Sequence, residues 1–183
     1  MKAGYPVMVF NRSRGPMEAA ARDGAEMAES LTQLAASCNV IFTMLPNSPQ
    51  VKEVVLGEGG IASAAKPGTL IIDMTSGAPG DSKDIYAALK NKDIHIIDAP
   101  VSGGEPMAIA GTLAIMVGGD KTDFERALPY LKAVGKTATW VGPIGSGNTC
   151  KLTNQVIVAI NIAGLAEGLM LAEKAGADTQ LVF

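Results

Sequence analysis

The segment TLIIDMTSGAPGDSKDIYAALKNKDIHIIDAPVSGG, residues 69–104, decides the fold. It opens on a short apolar run at 69–72, passes through a loop into helical spacing at 79–91, and returns to an apolar run at 95–97. Short apolar runs bounded by turn residues read as buried strands, and the spacing between them reads as an amphipathic helix. A strand, a helix and a strand in that order form a parallel crossover unit. The alternation extends in both directions. Further strands are expected at 7–10, 40–44, 113–117 and 139–141, and further helices at 15–23, 31–37, 49–56 and 122–134. Ser30 with Gln33 fits a capping box, and Asp120 is placed to cap the helix after it. Continuous apolar strands alternating with helices predict an α/β chain, doubly wound around a mainly parallel Rossmann-type sheet covered on both faces.

From 148 to 175 the pattern changes to one long proline-free segment rich in Leu, Ile, Val and Ala, roughly 40 Å long at helical rise. Apolar residues fall on nearly every face of it, which predicts a helix buried between domains. Gly176 stops it, and Asp178 is placed to cap another helix that the chain ends before completing. The expected organisation is a cofactor-type domain over 1–144, then an interdomain helix and the start of a helical domain over 145–183. Residues 1–5 resemble the end of a helix turning through Gly4 into the strand at 7, so a preceding strand and glycine-rich turn are expected. The chain holds no G-x-G-x-x-G after a strand, the motif that sets a pyrophosphate on a helix N-terminus.

Composition bounds the partners. The chain has 183 residues, 48% hydrophobic and 18% charged, with a net charge of -3, so no basic field attracts nucleic acid. Cys38 and Cys150 lie far apart without metal spacing, which fits reduced thiols in a cytoplasmic protein and no metal site. No signal-like N-terminus is present, and no run is read as reaching the roughly 18 apolar residues of a membrane span.

Two stretches carry chemistry. D-A-P-V-S-G-G, 98–104, follows a strand at the carboxyl end of the sheet, where ligands gather. Its glycines allow close approach and free the N–H groups of Gly103 and Gly104 for a carboxylate, to which Ser102 adds a hydroxyl. The plainer alternative is a tight turn without a ligand. G-S-G-N-T-C-K-L-T-N, 145–154, leads into the long helix and puts Lys151 and Asn154 on one face. Such a pair is ordinarily solvated. Near the start of a buried helix, however, a lysine loses hydration, and such a lysine can exchange a proton. His95, flanked by Ile94 and Ile96 with no acid or nucleophile placed beside it, is read as structural, as are the methionines.

The D-A-P-V-S-G-G stretch, followed by E-P-x-A-I-x-G-T-L, M-V-G-G-D and G-x-G-N-x-x-K-L-x-N-Q, resembles the 3-hydroxyisobutyrate and β-hydroxyacid dehydrogenase family in order and spacing. M-L-P-N at 44–47, L-G-E at 56–58 and D-M-T-S at 73–76 extend the resemblance over essentially the whole chain. G-G-E-P at 103–106 and L-P-N-S-P at 45–49 look most like the tartronate semialdehyde (2-hydroxy-3-oxopropionate) reductases within it. The resemblance implies hydride transfer between NADP or NAD and a small three-carbon acid, with Lys151 as acid/base, and the apolar faces of the long helix lead to the expectation of a homo-oligomer built through it. It makes Ser102, Gly103 and Gly104 the substrate-carboxylate site and Asn154 a helper. Many relatives carry an asparagine four residues after the lysine, where this chain has Gln155, so either Asn154 or Gln155 reaches the substrate. For the cofactor it implies Leu45 and Pro46, with Thr75 or Ser76, lining the dinucleotide. Asn11, Arg12 and Ser13 follow the strand at 7–10, where an NAD enzyme offers an acid to the ribose. No acid is there, and an arginine accepts a 2'-phosphate, which favours NADP over NAD. The alternatives are solvated loop arginines at 12 and 14, and, for the chain as a whole, an inactive fragment or a non-catalytic scaffold of the same fold. Loss of the lysine would mark the scaffold, and Lys151 is present.

Overall fold

A computed structural model describes all residues 1–183. The strand–helix–strand unit read from 69–104 forms as β4 (Leu70–Asp73), α5 (Pro79–Leu89) and β5 (His95–Asp98). Before it come β1 (Met8–Val9), α1 (Arg14–Arg22), β2 (Glu26–Met27), α2 (Leu31–Ser37), β3 (Val40–Thr43), α3 (Ser48–Leu56) and α4 (Ile61–Ala64). After it come β6 (Val101–Ser102), α6 (Gly104–Ala110), β7 (Leu113–Gly118), α7 (Lys121–Leu131), β8 (Gly135–Gly142), α8 (Ser146–Lys174) and α9 (Thr179–Val182). A six-stranded sheet runs β3-β4-β5-β7-β6, with β8 also paired to β7.

Parallel pairing joins β3, β4 and β5, and β7 with β8, whereas β7 runs antiparallel to β5 and β6. The strand at 113–118 therefore departs from the parallel direction. Its chain returns from β6 through the short α6, a connection too brief for a parallel crossover. β1 and β2 pair parallel in a separate two-stranded sheet, and Tyr5, just before β1, packs on Tyr130 of α7, ring centroids 5.1 Å apart and ring planes tilted by 43°.

Alternation along β4 builds the two-sided core. Ile71 joins Val51, Val55, Ile85 and Leu89 of α3 and α5 on one face. Leu70 and Ile72 join Ala127 and Leu131 of α7 on the other. Full burial of each isoleucine contributes about 1.5 to 3 kcal/mol, which is why these runs take the centre of the sheet.

Local capping follows the sequence in part. Ser30 Oγ accepts from Gln33 N at 3.0 Å, but Gln33 Oε1 takes the N–H of Glu29 rather than that of Ser30. Asp178 caps α9 through Gln180 N at 2.9 Å. Asp120 does not cap α7: its carboxylate instead accepts the Tyr86 hydroxyl at 2.8 Å, since α5 packs within reach.

Two expectations about the long helix need correction. α8 is not buried within this chain. Beyond its first turn it has no buried residue, and Ile160 and Leu171 are 65% and 72% exposed. A helix apolar on all faces needs cover from more than one neighbour, and only its N-terminal end reaches the sheet. Likewise, α8 is long and apolar enough to cross a membrane by length and composition, which the sequence reading did not allow for.

Candidate active site

Thr43, Asp73, Asp98 and Gly118 lie in one row across the carboxyl ends of β3, β4 and β5, closed by β7. Loops from this row hold Leu45, Pro46, Thr75 and Ser76, and the chain leaving β5 leads to Ser102, Gly103 and Gly104. Thr43 Oγ1 donates to Asp73 at 2.7 Å, and Thr75 N donates to the same carboxylate oxygen at 3.1 Å. Thr75 is buried, and its hydroxyl accepts the N–H of Leu45 at 3.0 Å. That bond ties the β3–α3 loop to the β4–α5 loop. Ser76 and Pro46 are exposed, and Leu45 is half-buried. Of the two hydroxyls, Ser76 is the open one.

On the other side of the row, Asp98 is fully buried and accepts Gly145 N and Asn148 N, each at 2.7 Å, one on each carboxylate oxygen. The first N–H groups of a helix have no partners within it, and a carboxylate also favours that end of the helix dipole. Asp98 thereby anchors the start of α8 at the point where β5 runs into Val101, Ser102 and Gly103. The glycines of M-V-G-G-D and G-S-G-N make this approach possible. A Cβ on Gly118 would stand 2.5 Å from Asp98 Oδ1 and 2.6 Å from Gly147 N. One on Gly147 would stand 2.5 Å from Met116 O and 2.6 Å from Asp98 O. No side chain fits at either place.

Along α8, Asn148 is buried, Lys151 and Asn154 are half-buried, and Leu152, Thr153 and Gln155 are exposed. The spacing of three puts Asn148, Lys151 and Asn154 along the less exposed side of the helix. Asn154 Nδ2 donates to Gln155 Oε1 at 3.3 Å. Ser102 and Gly103 are half-buried and Gly104 is exposed, at the start of α6. The β1–α1 loop presents Asn11, Arg12 and Ser13, all exposed, with Asn11 Nδ2 donating to Ser13 O at 3.1 Å.

His95 proves to have acidic neighbours. Its Nδ1 lies 2.9 Å from Asp123 Oδ2 and its Nε2 lies 3.5 Å from Asp93 Oδ1. Asp123 also binds Arg126, whose guanidinium reaches Gly68 O at 2.7 Å. Asp123 comes from α7, a distance in sequence that no local pattern reveals. His95 opens β5, so this cluster sits at the amino end of the sheet, opposite the row of Asp73 and Asp98, and braces α7.

Burial raises the carboxyl pKa of Asp73 above the ordinary carboxylate range, opposed by hydrogen bonds from Thr75 and Thr43. Burial does the same to Asp98, opposed by the N–H groups of Asn148 and Gly145 and reinforced by the charge of Asp73. A carboxyl whose folded pKa is raised binds its proton more tightly folded than unfolded. Stability is therefore lost as pH climbs from the ordinary carboxylate value through the raised folded one. Asp73→Asn removes one such group. The stability gap between wild type and Asp73→Asn should move in favour of the wild type as pH falls from neutral towards the ordinary carboxylate value of about 4, read as urea midpoints. A gap that stays constant would contradict the raised pKa.

Comparison with known proteins agrees with this layout. Residues 1–142 match the NAD binding domain of 6-phosphogluconate dehydrogenase, and residues 145–183 match the NAD-binding region of NADP-dependent 3-hydroxyisobutyrate dehydrogenase. The chain is 42% identical over 177 residues to a probable 3-hydroxyisobutyrate dehydrogenase-like 3, mitochondrial, of Arabidopsis thaliana, covering 97% of this chain and 55% of that protein. It is 46% identical over 155 residues to a 2-hydroxy-3-oxopropionate reductase of Escherichia coli K12, covering 85% and 53%. Among solved structures, 3-hydroxyisobutyrate dehydrogenase of Mycobacterium tuberculosis with L-serine superposes with a TM-score of 0.93 at 33% identity, covering 98% of this chain and 60% of that one. The chain thus spans about half the length of the curated relatives it matches. The second match gives the apolar α8 a place within a dehydrogenase. With the doubly wound sheet and the motif-bearing loops gathered at its carboxyl end, the chain belongs to the 3-hydroxyisobutyrate dehydrogenase family of NAD(P)-dependent β-hydroxyacid dehydrogenases.

Proposed function

We propose that this chain is the cofactor-binding part of an NAD(P)-dependent cytoplasmic reductase that converts tartronate semialdehyde (2-hydroxy-3-oxopropionate) to glycerate, or a similar small semialdehyde to its 3-hydroxy acid. The observation that carries the reading is the meeting, at Asp98, of the strand leading to Ser102, Gly103 and Gly104 with the helix start leading to Lys151. Identity to the 2-hydroxy-3-oxopropionate reductase supports the substrate class.

When bound, the nicotinamide supplies the hydride. The residues present fit parts of the dinucleotide. Pro46 and Ser76 stand open beside Leu45 and Thr75, which brace one another, and Arg12 forms no ion pair in the fold and is free for a phosphate. Asn11 and Ser13 shape its loop. NADP is favoured over NAD on this ground. No residue of the chain is assigned to the pyrophosphate.

On the substrate side, Ser102 with the N–H groups of Gly103 and Gly104 holds the carboxylate and fixes which carbon is exposed to reduction. Lys151 gives its proton to the carbonyl oxygen as the C–H bond forms, so that an alkoxide does not accumulate. In the reverse direction it takes the proton from the hydroxyl. Half-burial of Asn154 on the face of Lys151 favours it over the exposed Gln155 as the group that orients substrate or lysine.

Initial rates with NADPH test the reading. Tartronate semialdehyde should exceed methylmalonate semialdehyde in kcat/KM by about tenfold or more, because a site that pairs the substrate's extra hydroxyl discriminates against an analogue lacking it. Preference for the methylated compound would move the chain to the 3-hydroxyisobutyrate branch. Turnover of neither would leave the scaffold reading.

The exposed apolar faces of α8 make a homo-oligomer through that helix part of the same proposal. Sedimentation at high concentration should show a dimer or larger species, and Ile160→Lys with Leu171→Lys should reduce it. A clean wild-type monomer contradicts the assembly.

A further inference from the structure

We propose that Asp98 and Asn148 form a positioning clamp that fixes the first turn of α8, and with it Lys151, against both the strand leading to Ser102 and the loop carrying Ser76. The inference rests on the reading of Lys151 as acid/base given above.

Helices usually satisfy their first N–H groups with a side chain at the position just before the helix. In α8 that position is Gly145, which has none. The carboxylate comes instead from Asp98, 47 residues earlier, and takes Gly145 N on one oxygen and Asn148 N on the other. Two contacts from one rigid carboxylate fix both the tilt and the rotation of the helix start. The bare faces of Gly118 and Gly147 leave that start no slack, since each has neighbouring atoms within 2.6 Å of where a Cβ would be.

Asn148 extends the clamp sideways. It is 1% exposed, its Oδ1 accepts Gly77 N at 2.9 Å, and its Nδ2 donates to Ser82 Oγ at 3.1 Å. Gly77 directly follows Ser76, and Ser48 Oγ accepts Ala78 N at 2.7 Å, so the same loop is held from the α3 side too. One residue therefore bonds the candidate cofactor loop, α5 and the base of the helix whose next turn bears Lys151. Hydride source and proton source are then set at one distance by two side chains that touch neither reactant. Misplacement by about 1 Å costs roughly a hundredfold in a reaction that needs such alignment.

A kinetic double-mutant cycle in the enzyme separates this role from a general structural one. Asp98→Asn keeps the shape but turns an amide NH2 towards one of the two backbone N–H groups and removes the charge. If Asp98 acts through Lys151, Asp98→Asn should lower kcat about tenfold or more in the enzyme with Lys151, yet less than about twofold in Lys151→Ala. Cofactor KM should stay within about threefold, because the dinucleotide contacts themselves are kept. An equal fold loss in both backgrounds, or no loss in the first, overturns the clamp alone. A Lys151→Ala enzyme with undiminished kcat overturns the acid/base reading and the clamp together. Should Asp98→Asn fail to fold, Asn148→Ala goes through the same cycle with the same expectations for kcat, while its cofactor KM is expected to rise because Asn148 also holds the Ser76 loop through Gly77 N.

Discussion

Lys151→Ala in the enzyme is expected to lower kcat by about two to four powers of ten, the usual worth of a positioned proton donor. The lysine is half-buried in the second turn of α8, one turn beyond Asn148 and on the same face. The start of that helix is held by Asp98 at the sheet end where β5 passes towards Ser102. Cofactor KM should change little, since Lys151 is proposed to act on the substrate and not on the dinucleotide. Lys151→Arg should not restore activity: a guanidinium keeps its charge at any working pH and cannot cycle a proton. Ser102→Ala should act mainly on substrate KM, because a carboxylate contact is shared by ground and transition states. The two substitutions therefore separate proton transfer from positioning. A Lys151→Ala enzyme that keeps more than about a tenth of the wild-type kcat would take the lysine out of the mechanism, and Asn154 and Gln155 would then be the groups to test.

The sheet was readable because its strands are continuous apolar runs. Leu70–Asp73 and His95–Asp98 are buried along nearly their whole length, and burial on both faces leaves no polar alternation to confuse the period. The short elements were not readable. Glu26–Met27 and Val101–Ser102 are two residues each, too few to carry a period, and α6 is hidden in a stretch that reads as a glycine-led turn. The exposure of α8 was missed for a different reason. Apolar residues on all faces report that a helix is to be covered, and they do not report that the cover lies within residues 1–183.

The site was legible in its residue types and not in its connections. Gly118 and Gly147 stand out in M-V-G-G-D and G-S-G-N, but that both make room for Asp98 and the start of α8 follows only from the pairing of Asp98 with Gly118. Asp98 heads a motif whose chemistry was assigned to its later members. Its own role needs Gly145 and Asn148, which are 47 and 50 residues away. His95 shows the converse. Asp93, two residues before it in sequence, lies 3.5 Å from its Nε2, and Asp123 reaches it across the fold and makes it a brace for α7.

Arg12→Ala is expected to cost NADPH about tenfold to a hundredfold in kcat/KM, the range of a charge-assisted hydrogen bond of about 1.5 to 3 kcal/mol. The electrostatics of the β1–α1 loop point this way. Arg14 is engaged, its Nε 2.9 Å from Glu18 Oε1, whereas Arg12, two residues earlier in the loop, is exposed and has no acidic partner. The first turn of α1 contains no acid, and Ser13 makes no side-chain cap, so the loop offers uncompensated positive character next to the end of β1. A 2'-phosphate is the part of NADPH that NADH lacks. Its loss of contact should therefore leave NADH kinetics unchanged in Arg12→Ala. Arg12→Asp should go further and favour NADH, because a carboxylate there repels the phosphate and accepts from a ribose 2'-hydroxyl. Equal kcat/KM for NADPH and NADH in the wild type, unchanged in both variants, would make Arg12 a solvated bystander and put the cofactor choice elsewhere.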